Sequence, residues 1–300
     1  MDPKEENAAL GEETKSHFNY EIACVLWNIA ALKSYTAASV HDWSSKEGLT
    51  LVKKDYEVAA LIFSHIKKVL KTANTKSNAI TNDLTDASLD MCHYMCLAQG
   101  QVCLYEVLKQ KLTVATSSAG AYTLIAQIAI SAADFYDKAL QSSQDTLIKF
   151  NESSQLYGAH FKSLSMLFKA RAEYLQSMAL RKNGEHGMEI ARLKKCRDMT
   201  REAIDFTKSN GKQSLKIVVG PSSLGKTTLD MLKTLKITTK HRLSEVVKEN
   251  ASIYHEKMPE DGMVPKIDAK DMMSVAIAGG GLPEDFLPQN LTRPMFASVD

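Results

Sequence analysis

The first 220 residues contain a single proline, Pro3, so almost nothing in them would interrupt a long helix. The sequence also has no secretory signal and no apolar run long enough to span a bilayer. Its five cysteines are an odd number, which argues against a disulfide framework and favours a reducing compartment. These absences predict a helical protein of the cytosol, or of the cytosolic face of a membrane.

Charge is balanced overall, at +2, but it is unevenly distributed. The first thirteen residues are acidic, whereas the stretch from Lys162 to Lys248 is rich in Lys and Arg. Within it, Lys194, Lys195 and Arg197 are candidates for contact with an anionic membrane. The alternative is an ordinary solvated helix surface, where mixed charges are common.

Apolar periodicity predicts seven helices after a disordered acidic leader over residues 1–17. Their expected ranges are 18–40, 47–71, 86–113, 119–142, 154–183, 185–209 and 228–252. Short polar connections between long helices favour an all-α antiparallel solenoid. A Gly-, Pro- and Ser-containing linker is expected over 210–227, and the remaining prolines predict an extended C-terminal tail.

The first two helices carry the clearest local signals. Apolar side chains on the first recur every three to four residues, and alanines between them leave room for a close neighbour. That stripe comprises Ile22, Val25, Leu26, Ile29 and Leu32. Ser44 with Glu47 matches a capping box, which predicts the start of the second helix.

Several strings, in order and spacing, resemble the Bro-one domain family, the type found in Alix, the yeast vacuolar sorting protein and fungal pH-response regulators. They are YEIACVLWNIAAL from Tyr20, YEVAALIFSHIK from Tyr56, LAQGQ from Leu97, AEYLQS from Ala172 and IYHEKMP from Ile253. The resemblance covers residues 18–260 and implies a tetratricopeptide-like helical core, with 261–300 as an extended tail packing back on it. Family members usually begin with about a hundred further residues, so an N-terminally shortened domain is expected.

The third and fourth helices carry more apolar surface than one packing face requires, which indicates either burial on several sides or a binding patch. The family resemblance implies a binding patch, namely a groove for the C-terminal amphipathic helix of an ESCRT-III subunit. Its positions fall on Leu104, Leu124 and Ile128. Lys46 stands at the rim, where the family commonly has an acidic residue. A reversed rim charge would weaken binding or select another partner.

A rival motif lies between the sixth and seventh helices. Gly220, Gly225, Lys226 and Thr227 complete the Walker A pattern of a phosphate-binding loop. The β-rich run 215–219 precedes it and a helix follows, as the motif requires. A nucleotide-binding loop of this kind also needs a parallel sheet, and the rest of the sequence shows no further strands to build one. A plain helix connector is therefore preferred.

Other chemical signals are weak. Cys92, Cys96 and Cys103 share a helical face but spread over three turns, too far for one tetrahedral zinc ion. No nucleophile, base and orienting group lie together in the sequence, and aromatics do not alternate with basic residues as in nucleic-acid platforms. No enzyme, cofactor, metal or nucleic-acid partner is predicted.

The resemblance implies a cytoplasmic, non-enzymatic adaptor of endosomal sorting in the multivesicular body pathway. It would lie peripherally on endosomes and bind an ESCRT-III subunit of the Snf/charged multivesicular body protein type. Two alternatives stay open: a pH-response signalling scaffold of the same family, and a P-loop nucleotide-binding protein.

Overall fold

The computed structural model describes residues 3–72, 81–147, 153–210, 227–260 and 262–273. These residues form seven long helices and no strand, which confirms the predicted all-α class. The helices are α1 (Pro3–Ser39), α2 (Lys46–Thr72), α3 (Asp86–Gln110), α4 (Ala119–Leu147), α5 (Ser153–Asn183), α6 (His186–Ser209) and α7 (Thr228–Glu249). A 3-10 turn at Asn82–Leu84 precedes α3, and a π-helical turn at Asn250–Tyr254 extends α7.

Each helix packs mainly against the next one in the chain, from α1 on α2 through to α6 on α7. Helix α7 additionally contacts α5. Contacts of this nearest-neighbour kind define a solenoid, because each helix buries its apolar faces between the helices before and after it. The predicted antiparallel solenoid is therefore confirmed for the part of the chain that the structure describes.

Two helix starts differ from the predictions. Helix α1 begins at Pro3, so the backbone of residues 3–17 is helical, although a disordered leader was expected over residues 1–17. Alanine and glutamate, frequent in this stretch, have high helix propensity, and proline is tolerated in a first turn. Helix α2 is capped by Ser45 rather than Ser44, since the Ser45 hydroxyl accepts a hydrogen bond from the backbone N–H of Gly48 at 3.0 Å.

The larger correction concerns which face of α1 packs on α2. Three of the five predicted stripe residues face solvent: Val25, Ile29 and Leu32 are 56%, 37% and 64% exposed, whereas Leu26 packs against the core. The fully buried side chains are three alanines spaced seven residues apart, namely Ala23, Ala30 and Ala37. Small side chains allow two helix backbones to approach closely, which explains why the alanines are fully buried, beside Trp27, whose ring meets Phe63 of α2 edge to face at 6.4 Å.

The middle of the stack is held by aromatic side chains. Tyr136 on α4 stacks between Phe161 and Phe168 of α5, with ring centroids 6.4 and 6.2 Å apart. Tyr105 on α3 meets Phe168 edge to face at 5.4 Å. Such contacts add to simple burial, so α3, α4 and α5 form a rigid platform for any surface site they carry. No helix in the described ranges is long and apolar enough to cross a membrane.

Candidate functional site

The predicted groove residues lie on the adjacent helices α3 and α4. Leu104 on α3 and Leu124 on α4 are partly buried and pack against the hydrophobic core, leaving part of each side chain accessible. Partial exposure of large apolar side chains on neighbouring helices is the arrangement that a helix-binding groove needs. These two positions remain compatible with contact to a partner.

Ile128 differs from the prediction. Its side chain is 0% exposed and ranks among the largest fully buried side chains of the structure. Ile125 and Ala129, beside it on α4, are also buried. Because α4 packs between α3 and α5, residues on its flanks belong to the core. The expectation of an accessible Ile128 is therefore wrong.

An extended segment, residues 265–273, crosses α3, α4 and α6; we call it the strap. The side chain of Gln101 on α3, fully buried, makes two bonds to its backbone. Its amide nitrogen donates to the carbonyl of Lys270 at 2.7 Å, and its amide oxygen accepts from the N–H of Met272 at 3.4 Å. One side-chain amide thus satisfies both kinds of backbone group, as a neighbouring strand would.

Two further contacts fix the position of the strap. The N–H of Lys270 donates to the carbonyl of Gln127 on α4 at 3.1 Å. Met273, 1% exposed, packs over Gly100, where an added Cβ would lie 2.2 Å from its terminal methyl. Leu104 lies one helical turn beyond Gly100, and Leu124 one turn before Gln127, so the strap runs beside the half-buried leucines.

The start of the strap is held by a buried ion pair. Arg192 on α6 donates to the carbonyl of Pro265 at 2.7 Å and to the carboxylate of Glu173 on α5 at 2.8 Å. Both side chains are nearly excluded from water. A buried charge needs a partner of this kind, because an isolated one would be strongly destabilising.

Lys46 lies at the first position of α2 and is exposed. The start of α2 lies close to the end of α3, because the side chain of Gln110 donates to the carbonyl of Ser44 at 3.3 Å. Lys46 is therefore at the same end of the stack as Leu104 and Leu124.

The candidate membrane-facing residues on α6 contact other side chains of the protein. Lys195 pairs with the buried carboxylate of Glu173 at 2.6 Å, and Lys194 lies 3.1 Å from the sulfur of Met258. Arg197 pairs with Asp198, also on α6, at 2.9 Å. Lys195 therefore contacts α5, and Lys194 contacts the segment after α7.

Most of the Walker-like loop, including Gly220, Gly225 and Lys226, lies outside the described residues, as does the run 215–219. Thr227 is described and caps α7: its hydroxyl accepts from the N–H of Asp230 at 3.2 Å. The Asp230 carboxylate in turn accepts from the backbone N–H of Thr227 at 3.3 Å, which completes a capping box, and also from the Thr227 hydroxyl at 2.7 Å. These hydrogen bonds also lower the pKa of Asp230.

Cys92, Cys96 and Cys103 lie on α3 in surroundings that exclude water from their thiols. Burial raises the pKa of Cys92 to about 12 and also raises the pKa values of Cys96 and Cys103. Thiols with raised pKa values stay protonated near neutral pH and are poor nucleophiles and ligands. Among the described residues, no three His, Cys, Asp or Glu side chains group closely enough to hold a metal ion.

Sequence reasoning missed the role of the polar residues that hold the strap. Gln101 shares one face of α3 with Leu97, Leu104 and Leu108, and a polar side chain in such an apolar stripe signals a buried hydrogen-bonding partner. Arg192 and Glu173 carried no such signal, because charged residues on a helix are usually exposed. Their pairing depends on how α5 and α6 pack.

The chain resembles known proteins along most of its length. A model of the BRO1-like domain matches residues 7–299. Programmed cell death 6-interacting protein of Homo sapiens is 28% identical over 244 residues, which cover 80% of this chain and 24% of that protein. Vacuolar protein-sorting protein bro-1 of Neurospora crassa is 27% identical over 291 residues, covering 93% and 26%. The chain thus spans about a quarter of the length of these curated relatives.

Solved structures share the fold. The structure described as "ALIX BRO1 CHMP4C complex" superposes with a TM-score of 0.68 at 24% identity, over 85% of this chain and 62% of that one. ALIX in complex with a late-domain peptide of SIVmac239 gives a TM-score of 0.64 at 25% identity, over 85% and 32%. Since the family model matches nearly every residue, the chain belongs to the BRO1-like domain family.

Proposed function

We propose that this protein is a non-enzymatic adaptor of endosomal sorting that binds the C-terminal amphipathic helix of an ESCRT-III subunit. The observation that carries the proposal is the BRO1-like match over residues 7–299. A similar structure holds an ALIX BRO1 domain in complex with CHMP4C, and relatives include vacuolar protein-sorting proteins. An adaptor acts by recruiting its partner, so a binding surface suffices and no reacting group is required.

The partner helix would lie on α3 and α4, with Leu104 and Leu124 as the apolar contacts. Both side chains are partly exposed, so an incoming apolar helix face buries them without any change in the core. Ile128 lies beneath and supports them rather than touching the partner. The strap borders the groove and would limit where the partner helix lies.

A calorimetric titration with peptides from ESCRT-III C-terminal helices tests this groove. Leu104→Asp and Leu124→Asp should each weaken binding at least about tenfold, because the partner's apolar face would meet a carboxylate. Val40→Asp, at a residue 67% exposed outside the groove, is the control and should bind normally. Unchanged affinity in both groove variants, with intact helical circular dichroism, would contradict the assignment.

Lys46 would set the charge preference at the rim. Lys46→Glu gives the rim the negative charge that the family resemblance leads us to expect. It should therefore strengthen the binding of a peptide with basic residues. The same substitution should weaken binding of an acidic peptide, and both effects should shrink at high salt. Identical affinities for both peptides would remove Lys46 from the site.

Contact with anionic endosomal membrane is a secondary part of the proposal. Lys194, Lys195 and Arg197 lie on α6, away from the groove, so membrane and partner could be bound together. Sedimentation with phosphatidylserine vesicles checks it. Arg197→Glu is the informative variant, because Lys195 also neutralises Glu173 and its loss would perturb the fold.

A pH-response scaffold is the second candidate, since pH-response regulator protein palA/RIM20 of Aspergillus oryzae is 26% identical over 262 residues. A fungal strain lacking its own regulator would distinguish the roles, by rescue of growth at alkaline pH or of cargo sorting. Nucleotide binding through Gly220, Gly225, Lys226 and Thr227 is the remaining alternative. Magnesium-dependent mant-ATP fluorescence lost in Lys226→Ala would favour it over the adaptor.

A further inference from the structure

Helices α6 and α7 border an open groove beside the line along which they pack. The two helices meet at Cys196 and Thr239, both buried, whose Sγ and Oγ1 atoms lie 3.3 Å apart. Arg197 and Lys240, the residues that follow these two, both line the groove, which has a volume of about 510 Å³. Because buried contacts of the fold fix its two walls, the groove needs no rearrangement to receive a ligand.

Charge of one sign borders this groove. Among the described residues that line it there are five cationic side chains and no carboxylate. The cations are Arg197 and Arg201 of α6 and Lys236, Lys240 and Lys248 of α7, and we call the site that they border the basic groove. Each helix thus carries a like-charged pair four residues apart, a spacing that destabilises a helix. Exposed helix faces usually mix both signs, so this arrangement favours an anionic ligand.

The lysines of the basic groove keep their charge available. Asp198 partly neutralises the two arginines, at 2.9 and 3.0 Å. The ion pairs between described residues of α7 and their partners use Lys233, His241 and Arg242 instead of the groove lysines. Three cations on α7 can therefore pair with carboxylates that a ligand supplies.

The floor of the basic groove is apolar. Leu243 is half-buried and packs against the core between α6 and α7, and Val247 is 43% exposed. Lys236 and Lys248 are twelve residues apart, so the cations on α7 span about 18 Å, or three helical turns. A phosphorylated headgroup is compact and gains nothing from an apolar floor. An amphipathic helix carries both apolar and charged side chains along such a length.

We propose that the basic groove binds an acidic amphipathic helix of a partner protein. The apolar side chains of that helix lie on Leu243 and Val247, and its carboxylates pair with the cations on both walls. The groove is built by α6 and α7, whereas the ESCRT-III groove proposed above lies on α3 and α4, so this partner is a second one. Arg197 also belongs to the proposed membrane contact, and the test therefore changes other residues.

Fluorescence anisotropy of the full chain with a labelled helical peptide of about 12 residues tests the basic groove. The peptide carries leucines along one face and glutamates beside them, and the wild-type protein should bind it with micromolar Kd. Lys240→Glu/Lys248→Glu and, separately, Val247→Asp should each weaken binding at least about tenfold, with unchanged circular dichroism. The matched control Lys54→Glu/Lys71→Glu makes the same charge change at two exposed lysines of α2 and should bind normally.

Two altered peptides test the chemistry of the occupant. A peptide with lysines in place of the glutamates should not bind, and one with serines in place of the leucines should bind at least about tenfold more weakly. Full affinity of the serine peptide would mean that charge alone acts, and would overturn the amphipathic helix as the occupant.

Three further outcomes would overturn the proposal. One is that the leucine and glutamate peptide fails to bind the wild-type full chain, whether the groove has no affinity for it or another part of the chain already covers it. A second is an equal loss of binding in Lys54→Glu/Lys71→Glu. The third is that vesicles containing phosphatidylinositol phosphates bind the wild type and not Lys240→Glu/Lys248→Glu, while the peptide does not bind. That result would assign the basic groove to a lipid headgroup.

Discussion

The side-chain amide of Gln101 donates to the backbone carbonyl of Lys270 at 2.7 Å, although 169 residues separate them in the chain. This bond joins the middle helices of the stack to the strap, which borders the proposed partner groove. A single polar residue inside an apolar stripe therefore links the C-terminal segment to the part of the surface where function is expected.

Gln101→Leu should release the strap locally. It leaves the carbonyl of Lys270 and the N–H of Met272 without their partner, at a cost of about 1–3 kcal/mol. Hydrogen exchange at the Met272 amide should become roughly tenfold faster for each 1.4 kcal/mol lost. Gln110→Leu, which removes a longer and exposed bond to Ser44, is the control. Equal protection in both variants would show that Gln101 does not hold the strap.

Ile128 and Leu124 should respond differently to truncation. Ile128→Ala creates a cavity at a fully buried position and should lower the free energy of unfolding by about 2–5 kcal/mol. Leu124→Ala removes a partly exposed side chain and should cost about 1–2 kcal/mol. Urea denaturation measures both. Equal losses would mean that Leu124 is core and not a groove residue.

The buried pair of Arg242 and Glu189 should show strong coupling. The guanidinium of Arg242 meets both oxygens of Glu189, at 2.7 and 3.2 Å, and Glu189 is 0% exposed. Arg242→Met leaves the Glu189 carboxylate buried without the guanidinium, so it should lower the free energy of unfolding by about 3–5 kcal/mol. The double variant Arg242→Met/Glu189→Leu should lower it by less.

The surface pair of Arg201 and Asp198 provides the matched control for this measurement. It has a similar bond length, 3.0 Å, but both side chains are more than half exposed. Arg201→Met should therefore cost no more than about 1 kcal/mol. A double variant as unstable as the sum of its single changes would contradict the coupling of Arg242 and Glu189.

Acid should destabilise the fold through His160. Burial lowers the pKa of His160 to about 4, so the folded state holds it neutral while the unfolded chain protonates near its ordinary value of 6.5. Protons therefore favour the unfolded state, and stability present above about pH 6.5 is lost as the pH falls toward about 4. Between about pH 7.5 and about pH 5 the loss should be about 2 kcal/mol.

His160→Gln removes the titrating group and separates this effect from the rest of the protein's pH dependence. Thermal or urea unfolding at the two pH values should show a smaller acid loss in this variant than in the wild type. His65 and His93, whose pKa values are lowered mainly by burial, act in the same direction and remain in both proteins. An identical acid loss in the two proteins would exclude His160.

Local patterns predicted the helices well, because propensity, periodicity and capping act over a few residues. The ranges expected for α2, α5 and α6 differ from the observed ones by one residue at most at each end. The buried face of α1 was predicted wrongly because periodicity, too, is a local signal. Its sequence offers two stripes, one of large side chains and one of alanines, and periodicity cannot tell which one a neighbouring helix will cover.

The candidate site was predicted only in part. The family resemblance placed the groove on α3 and α4, and Leu104 and Leu124 do lie there half-buried. Ile128 is fully buried because α4 packs between α3 and α5, and local sequence does not encode this packing. The contacts of Gln101 and Arg192 with the strap join residues far apart in sequence, and no local pattern encodes them.

By itself, the sequence determined the helical class, the order of the helices and the BRO1-like family, since these follow from the scarcity of early prolines, from apolar periodicity and from conspicuous strings. Tertiary structure alone decided that Ala23, Ala30 and Ala37 are the fully buried residues of α1, while Val25, Ile29 and Leu32 face solvent. It also decided that Ile128 is core and that Gln101 and Arg192 hold the strap. The physical reason is that burial is a property of which surfaces meet, and a helix with two apolar faces carries no local record of which one its neighbour covers.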